Sequence, residues 1–228
     1  MIRVMGFFDV IRGRSPALLD QALSDMTDML TIAHEMWSVA SARLLDNDVL
    51  LVDLQQMDRD VNARERNVRR KVLEQFSLDP KRDMVFSLVL ISIVQDAERV
   101  GDLAKSIAEV AAYAQAPRMG ADVVRLRRCR DRVLSMLGAT RDAFAQADEE
   151  KARQVMSDHA LVKEELRLFL SDIVSREDLS ANTAAVLSLG ARMISRTSSH
   201  LSNIASSVAL PFDQIRGDDE SMIEKAAG

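Results

Sequence analysis

A single cysteine in 228 residues leaves no partner for an intramolecular disulfide and too few thiols for a Cys-rich zinc site. Cys129 is expected as a small packed hydrophobe in a reducing compartment. Helix breakers are scarce, with four prolines and eight glycines, and aromatics are only 4% of the chain. Twelve methionines and abundant Leu, Val and Ala point to an all-α protein. A basic excess is lacking too: the net charge of −5 argues against a general nucleic-acid binder. No apolar run approaches the roughly 20 residues of a membrane span. The N-terminus lacks the charged start and long apolar run of a secretory signal, so the expected location is cytoplasmic. There is no phosphate-cradling glycine loop and no H-E-x-x-H pattern. His34, His159 and His200 lie far apart and read as surface or helix-packing imidazoles. A non-enzymatic protein is expected.

What is there is helical periodicity. In residues 86–111, Phe86, Leu90, Ile93, Ala97, Val100, Ala104, Ile107 and Ala111 recur at spacings of three and four, the seam of a long bundle helix. The helix before it, over about 49–76, carries Leu50, Leu54, Met57, Val61, Val68, Val72 and Phe76. The first helix starts at Ser15-Pro16, a cap and first-turn pair, and runs to about Asp46. Ala116-Pro117-Arg118-Met119-Gly120 is the clearest break. Three more helices follow, over about 121–146, 148–175 and 179–210, with Val124, Leu134, Leu137 and Phe144, then Val155, Leu161, Leu166 and Phe169, among their apolar positions. Adding 97 maps Leu90 to Leu187, Ala97 to Ile194, Arg99 to Arg196, Ala104 to Leu201, Ile107 to Ile204 and Ala108 to Ala205. The expected fold is therefore two tandem three-helix bundle repeats, 15–116 and 117–212. They are flanked by an N-terminal arm, 1–14, and a loose tail, 213–228. The arm carries Phe7-Phe8 beside Arg12 and Arg14, and is expected to fold back on the bundle, the alternative being a short amphipathic segment that touches a membrane or a partner.

One group of polar residues could carry chemistry. Glu98 and Asp102 lie one turn apart on one helix face. Between them, Gly101 suggests close approach of another helix or a ligand, since glycine costs about 1 kcal/mol in a helix interior. Asp58, Asn62 and Glu65 stand at three-four spacing on the preceding antiparallel helix. Asn62 lies about 17 residues before the turn and Glu98 about 19 after it, so the two sets share a height. Hard cations take oxygen ligands, and a divalent metal, or iron or zinc, is the candidate occupant. The plain alternative is a solvated charge cluster, with Arg99 and Arg66 as local partners. Two basic stretches, around Arg64–Lys71 and Arg125–Arg132, read as solvated faces or as docking faces for an acidic partner.

The stretch Asp96-Ala97-Glu98-Arg99-Val100-Gly101-Asp102-Leu103-Ala104-Lys105-Ser106-Ile107-Ala108-Glu109 resembles the D-x-E-R-I-G-D-x-A-x-x-I-A-E signature of the PhoU family of phosphate-uptake regulators. Asp58-Arg59-Asp60-Val61-Asn62-Ala63-Arg64-Glu65 is similar to that family's D-x-x-V-N-x-x-E. The resemblance implies two three-helix repeats and metal clusters held by the E-x-x-x-D carboxylates of each. The expected site residues are Glu98, Asp102, Asp58, Asn62 and Glu65, with Arg66, Arg69, Arg70, Arg99 and Arg196 as docking candidates. It also implies action on a phosphate transporter component or a sensor histidine kinase, and a homodimer. The second repeat departs from the pattern, because Ser195 and Ser199 stand where the carboxylates belong. That departure motivates an alternative expectation, a metal-free helical adaptor of a membrane transporter such as a sodium–phosphate symporter. A carboxylate-bridged di-metal enzyme ranks third, since no Glu has a His three residues on.

Overall fold

The computed structural model describes residues 17–79 and 84–215. The arm at 1–14, the Ser15-Pro16 cap, Pro80 and residues 216–228 of the tail lie outside the described residues. Six helices follow in order: α1 Ala17–Leu45, α2 Leu54–Leu78, α3 Met84–Ala112, α4 Ala121–Gln146, α5 Glu149–Val174 and α6 Ala181–Ala209. A short 3-10 turn, Phe212–Gln214, follows α6, and Ile215 after it packs against the core. Among the described residues there is no strand, and no helix is long and apolar enough to cross a membrane.

Three of the helices begin where a side chain satisfies their first N–H groups. The Asp53 carboxylate accepts from the N–H groups of Gln55 and Gln56, Asp148 caps α5 and Ser180 caps α6. The Asp53 cap corrects the expected start of α2 near 49. Leu50 is in the connecting loop, half-buried against the core rather than on the helix. Gly120 precedes α4 with φ +96°, a backbone that L side chains rarely adopt, so the break is sharp there.

All eight seam residues of α3 are buried. α1, α2 and α3 pack together as one bundle, and α4, α5 and α6 as another. The two bundles meet through α3 against α6 and α1 against α4, which leaves α2 and α5 outermost. Polar bonds key this interface. Trp37 Nε1 on α1 donates to Thr197 Oγ1 on α6 at 2.9 Å, and both residues are fully buried. Asp96 on α3, also buried, lies 2.8 Å from His200 Nδ1 and accepts from Asn203 Nδ2 at 3.1 Å. Much of the second basic stretch is spent here. Arg127 and Arg130 reach Asp46, and Arg118 donates to the carbonyl of Leu44, so arginines satisfy the negative end of α1.

Two expected core positions are not core. Val124 and Leu161 are exposed, while their neighbours Val123 and Val162 are buried. One residue is about 100° of helix, enough to turn a side chain off the seam. The glycines redistribute as well. A Cβ on Gly101 would meet Met36 and Val61 at 3.7–3.9 Å, ordinary van der Waals contact, so the close approach expected there is absent. The tight crossing is at Gly190, where a Cβ would stand 2.8 Å from Leu44 Cδ2. Gly101→Ala should therefore stabilise the protein by about 0.5–1 kcal/mol. Gly190→Ala should destabilise it by about 1–2 kcal/mol, because overpacking against the buried Leu44 exceeds the gain in helix propensity. Urea-denaturation midpoints of the two variants, moving in opposite directions, check both.

Candidate functional site

The residues singled out from sequence converge between α2 and α3. Asn62 Nδ2 donates to Asp58 Oδ2 at 3.2 Å on α2. On α3, Arg99 reaches Asp102 at 3.3 Å and Glu98 at 3.7 Å. Glu65 contributes its charge to the environment of Glu98 and is itself paired with Arg69 at 2.7 Å. A residue not expected from the sequence sits at the centre. Lys105 Nζ lies 2.8 Å from Asp58 Oδ1 and 3.0 Å from Asp102 Oδ1, joining the two helices. Its signal was available, since Lys105 follows Asp102 by three positions and so shares its face.

The protonation chemistry follows from crowding. Burial, then the charge of Asp102 and a hydrogen bond to it, raise the Glu98 carboxyl from 4.5 to about 7, and Glu65 adds to the effect. Burial alone would raise Asp102, but hydrogen bonds from Lys105 and Glu98 outweigh it and hold this carboxyl below its ordinary value. Burial alone would lower the Lys105 ammonium, and its bonds to Asp58 and Asp102 overcome that, holding it above its ordinary value. Near neutrality, Glu98 thus shares its proton with Asp102 while Lys105 stays charged.

The folded state binds the Glu98 proton more tightly than the unfolded chain does. That contribution to stability is full below pH 4.5 and is lost as pH rises through about 7. Glu98→Gln keeps a hydrogen-bond donor without the charge. Its unfolding free energy relative to wild type should rise between pH 4.5 and 8, by on the order of 2 kcal/mol. Denaturant melts at several pH values give the difference curve directly.

The donor set does not fit a metal ion. A cation bridging α2 and α3 would need the position held by Lys105 Nζ, within bonding distance of both aspartates. Glu65 is paired with Arg69 at 2.7 Å, and Glu98 lies beside Arg99. Among the described residues, no three His, Cys, Asp or Glu side chains are placed to hold a metal.

The second repeat shows the same geometry with different chemistry. Gly101 faces Val61 on α2, and the matching Ser198 bonds His159 on α5 at 2.9 Å. That register sets Met156, Ala160 and Lys163 against Asp58, Asn62 and Glu65, and Ser195, Ser199 and Ser202 against Glu98, Asp102 and Lys105. The Ser199 hydroxyl turns inward to the Ser195 carbonyl at 3.2 Å. No carboxylate occupies any of these six positions.

The docking candidates are scattered. Arg66 and Arg70 are exposed on α2, Arg69 and Arg99 are held by the cluster, and Arg196 is exposed on the other repeat at the place matching Arg99. His159 and His200 are packing residues. Burial, then the charge of Glu165, push the Cys129 thiol up to about 11, which leaves it protonated and unreactive near neutrality.

Comparison with known proteins agrees with this geometry. The PhoU domain profile matches residues 26–111 and 126–208, one match per bundle. The chain is 27% identical over 197 residues to the phosphate-specific transport system accessory protein PhoU homolog of Deinococcus radiodurans, covering 83% of this chain and 92% of that protein. The fold is similar to the crystal structure of PhoU from Pseudomonas aeruginosa, with a TM-score of 0.76 and 24% identity over 84% of this chain and 95% of that one. It is also similar to the phosphate transport system regulatory protein PhoU from Streptococcus pneumoniae, with a TM-score of 0.72 and 17% identity over 83% and 92% of the two chains. With its signature on α3 and a domain match over each three-helix bundle, the chain belongs to the PhoU family.

Proposed function

We infer that the protein is a non-enzymatic regulator of phosphate transport or phosphate-starvation signalling, working in the cytoplasm by docking on a transporter component or a sensor kinase. The observation that carries this reading is the match to the Deinococcus accessory protein over nearly its whole length, with both bundles present. The architecture suits a docking protein, because α2 and α5 are outermost and α2 presents Arg66 and Arg70 to solvent. Deleting the gene should derepress phosphate-responsive transcription in phosphate-replete medium and alter phosphate uptake. Unchanged transcription and uptake would refute the reading.

A second reading is favoured by one observation, the closure of the first-repeat cluster by Lys105. A metal-free adaptor needs only the scaffold, and its partner is a membrane transporter such as a sodium–phosphate symporter. The partner interaction then persists undiminished in chelator, whereas a metal-bridged contact is lost. Affinity capture from membranes with and without EDTA separates the two.

A further inference from the structure

We propose that Lys105 is the resident cation of the first repeat: its ammonium clasps Asp58 on α2 to Asp102 on α3 and keeps divalent metal ions out of the carboxylate cluster. The inference concerns the same site as the regulatory reading above. Its tests read metal and lysine chemistry alone, so their failure is distinguishable from a failure of phosphate regulation.

The geometry is that of a bridging counter-ion. One ammonium lies within 3.0 Å of carboxylate oxygens on two different helices. The lysine side chain is only 21% exposed and that of Asp58 only 12%, so the pair is held in the helix contact rather than waving in solvent. The remaining carboxylates have partners too, Glu65 with Arg69 and Glu98 with Arg99 and Asp102. A divalent ion entering the cluster must displace the ammonium or sit beside it, and like charges at such range repel strongly in a partly buried setting. The second repeat supplies the internal control. Where the carboxylates are replaced by Met156, Ser195 and Ser199, the position matching Lys105 is Ser202, and the lysine of that repeat, Lys163, stands instead at the place of Glu65 on the outer helix. At this one position, a turn past the second carboxylate, a lysine occurs only in the repeat that keeps the acids.

The test uses the full chain, with Mn2+ and Zn2+ as probes in isothermal titration and thermal-shift assays. Wild type should show no stoichiometric binding. Lys105→Met should bind one ion at least about tenfold more tightly than wild type, and the double variant Lys105→Met/Asp102→Asn should lose it again. Stoichiometric binding by wild type that disappears in Asp102→Asn would overturn the proposal, and so would a Lys105→Met protein that binds no better than wild type. A measurement on wild type alone covers the case in which Lys105→Met does not fold. Reductive methylation followed by peptide mass spectrometry should label Lys105 about tenfold more slowly than the exposed Lys163. Equal labelling of the two would also overturn the proposal.

Discussion

Trp37→Ala is expected to cost about 3–5 kcal/mol of folding stability, the largest single loss in the molecule. Trp37 is the largest fully buried side chain, and it reaches from α1 to α6. Its removal opens a cavity where the bundles meet and strips Thr197 of a donor. Thr197 still bonds the Met193 carbonyl at 2.9 Å, so its hydroxyl is not orphaned, and the loss is mostly one of packing. Trp37→Phe separates the contributions. It keeps much of the apolar volume, deletes the indole N–H, and should cost less than half as much. For a chain of this size each kcal/mol moves the melting temperature by about 2–4 °C, so calorimetry resolves the two variants readily.

Asp96→Ala should follow, at about 2–3 kcal/mol. Its carboxylate is buried and gathers His200 Nδ1 and Asn203 Nδ2 from α6. Alanine leaves both donors without that acceptor in a crowded interface, and an unmade buried bond costs more than a made one contributes. Asp96→Asn retains a carbonyl oxygen and should cost about 1 kcal/mol. The pattern Ala > Asn, measured by denaturant melts, assigns the effect to the missing acceptor. If alanine is as well tolerated as asparagine, the α3–α6 bonds of Asp96 contribute little to the joining of the bundles.

The fold was legible because the pattern and the packing coincide on α3. Its seam faces α1, α2 and α6 at once, while Leu88, Ile91, Gln95 and Arg99 form an exposed stripe opposite, so the three-four periodicity is unambiguous. Legibility weakened where only a narrow stripe is buried. On α4 and α5 the apolar neighbours Val123 and Val124, and Leu161 and Val162, compete for the seam, and only tertiary contact decides between them. Gly101 lies inside a motif, whereas Gly190, where α6 crosses Leu44, has no local signal that a Cβ there would stand 2.8 Å from that side chain. Counting from the α2–α3 turn sets Asn62 and Glu98 at one height, and Lys105 joins Asp58 to Asp102 between the same two helices. The bridge itself is not legible in the motif, because Lys105 reaches Asp58 across a helix contact that only the tertiary structure sets. The arginines around Arg127 read as a solvated face because their partner, the end of α1, lies more than eighty positions earlier in the chain.

On the proposal above, this PhoU-family chain keeps the carboxylates of its first repeat but closes them with its own lysine. Elemental analysis of untagged full-length protein, beside a Glu98→Ala/Asp102→Ala variant, tests that claim most directly. The expected result is well under one equivalent of any transition metal in both proteins. Near-stoichiometric metal in the wild type, lost in the variant, would contradict it and make the first repeat a metal centre.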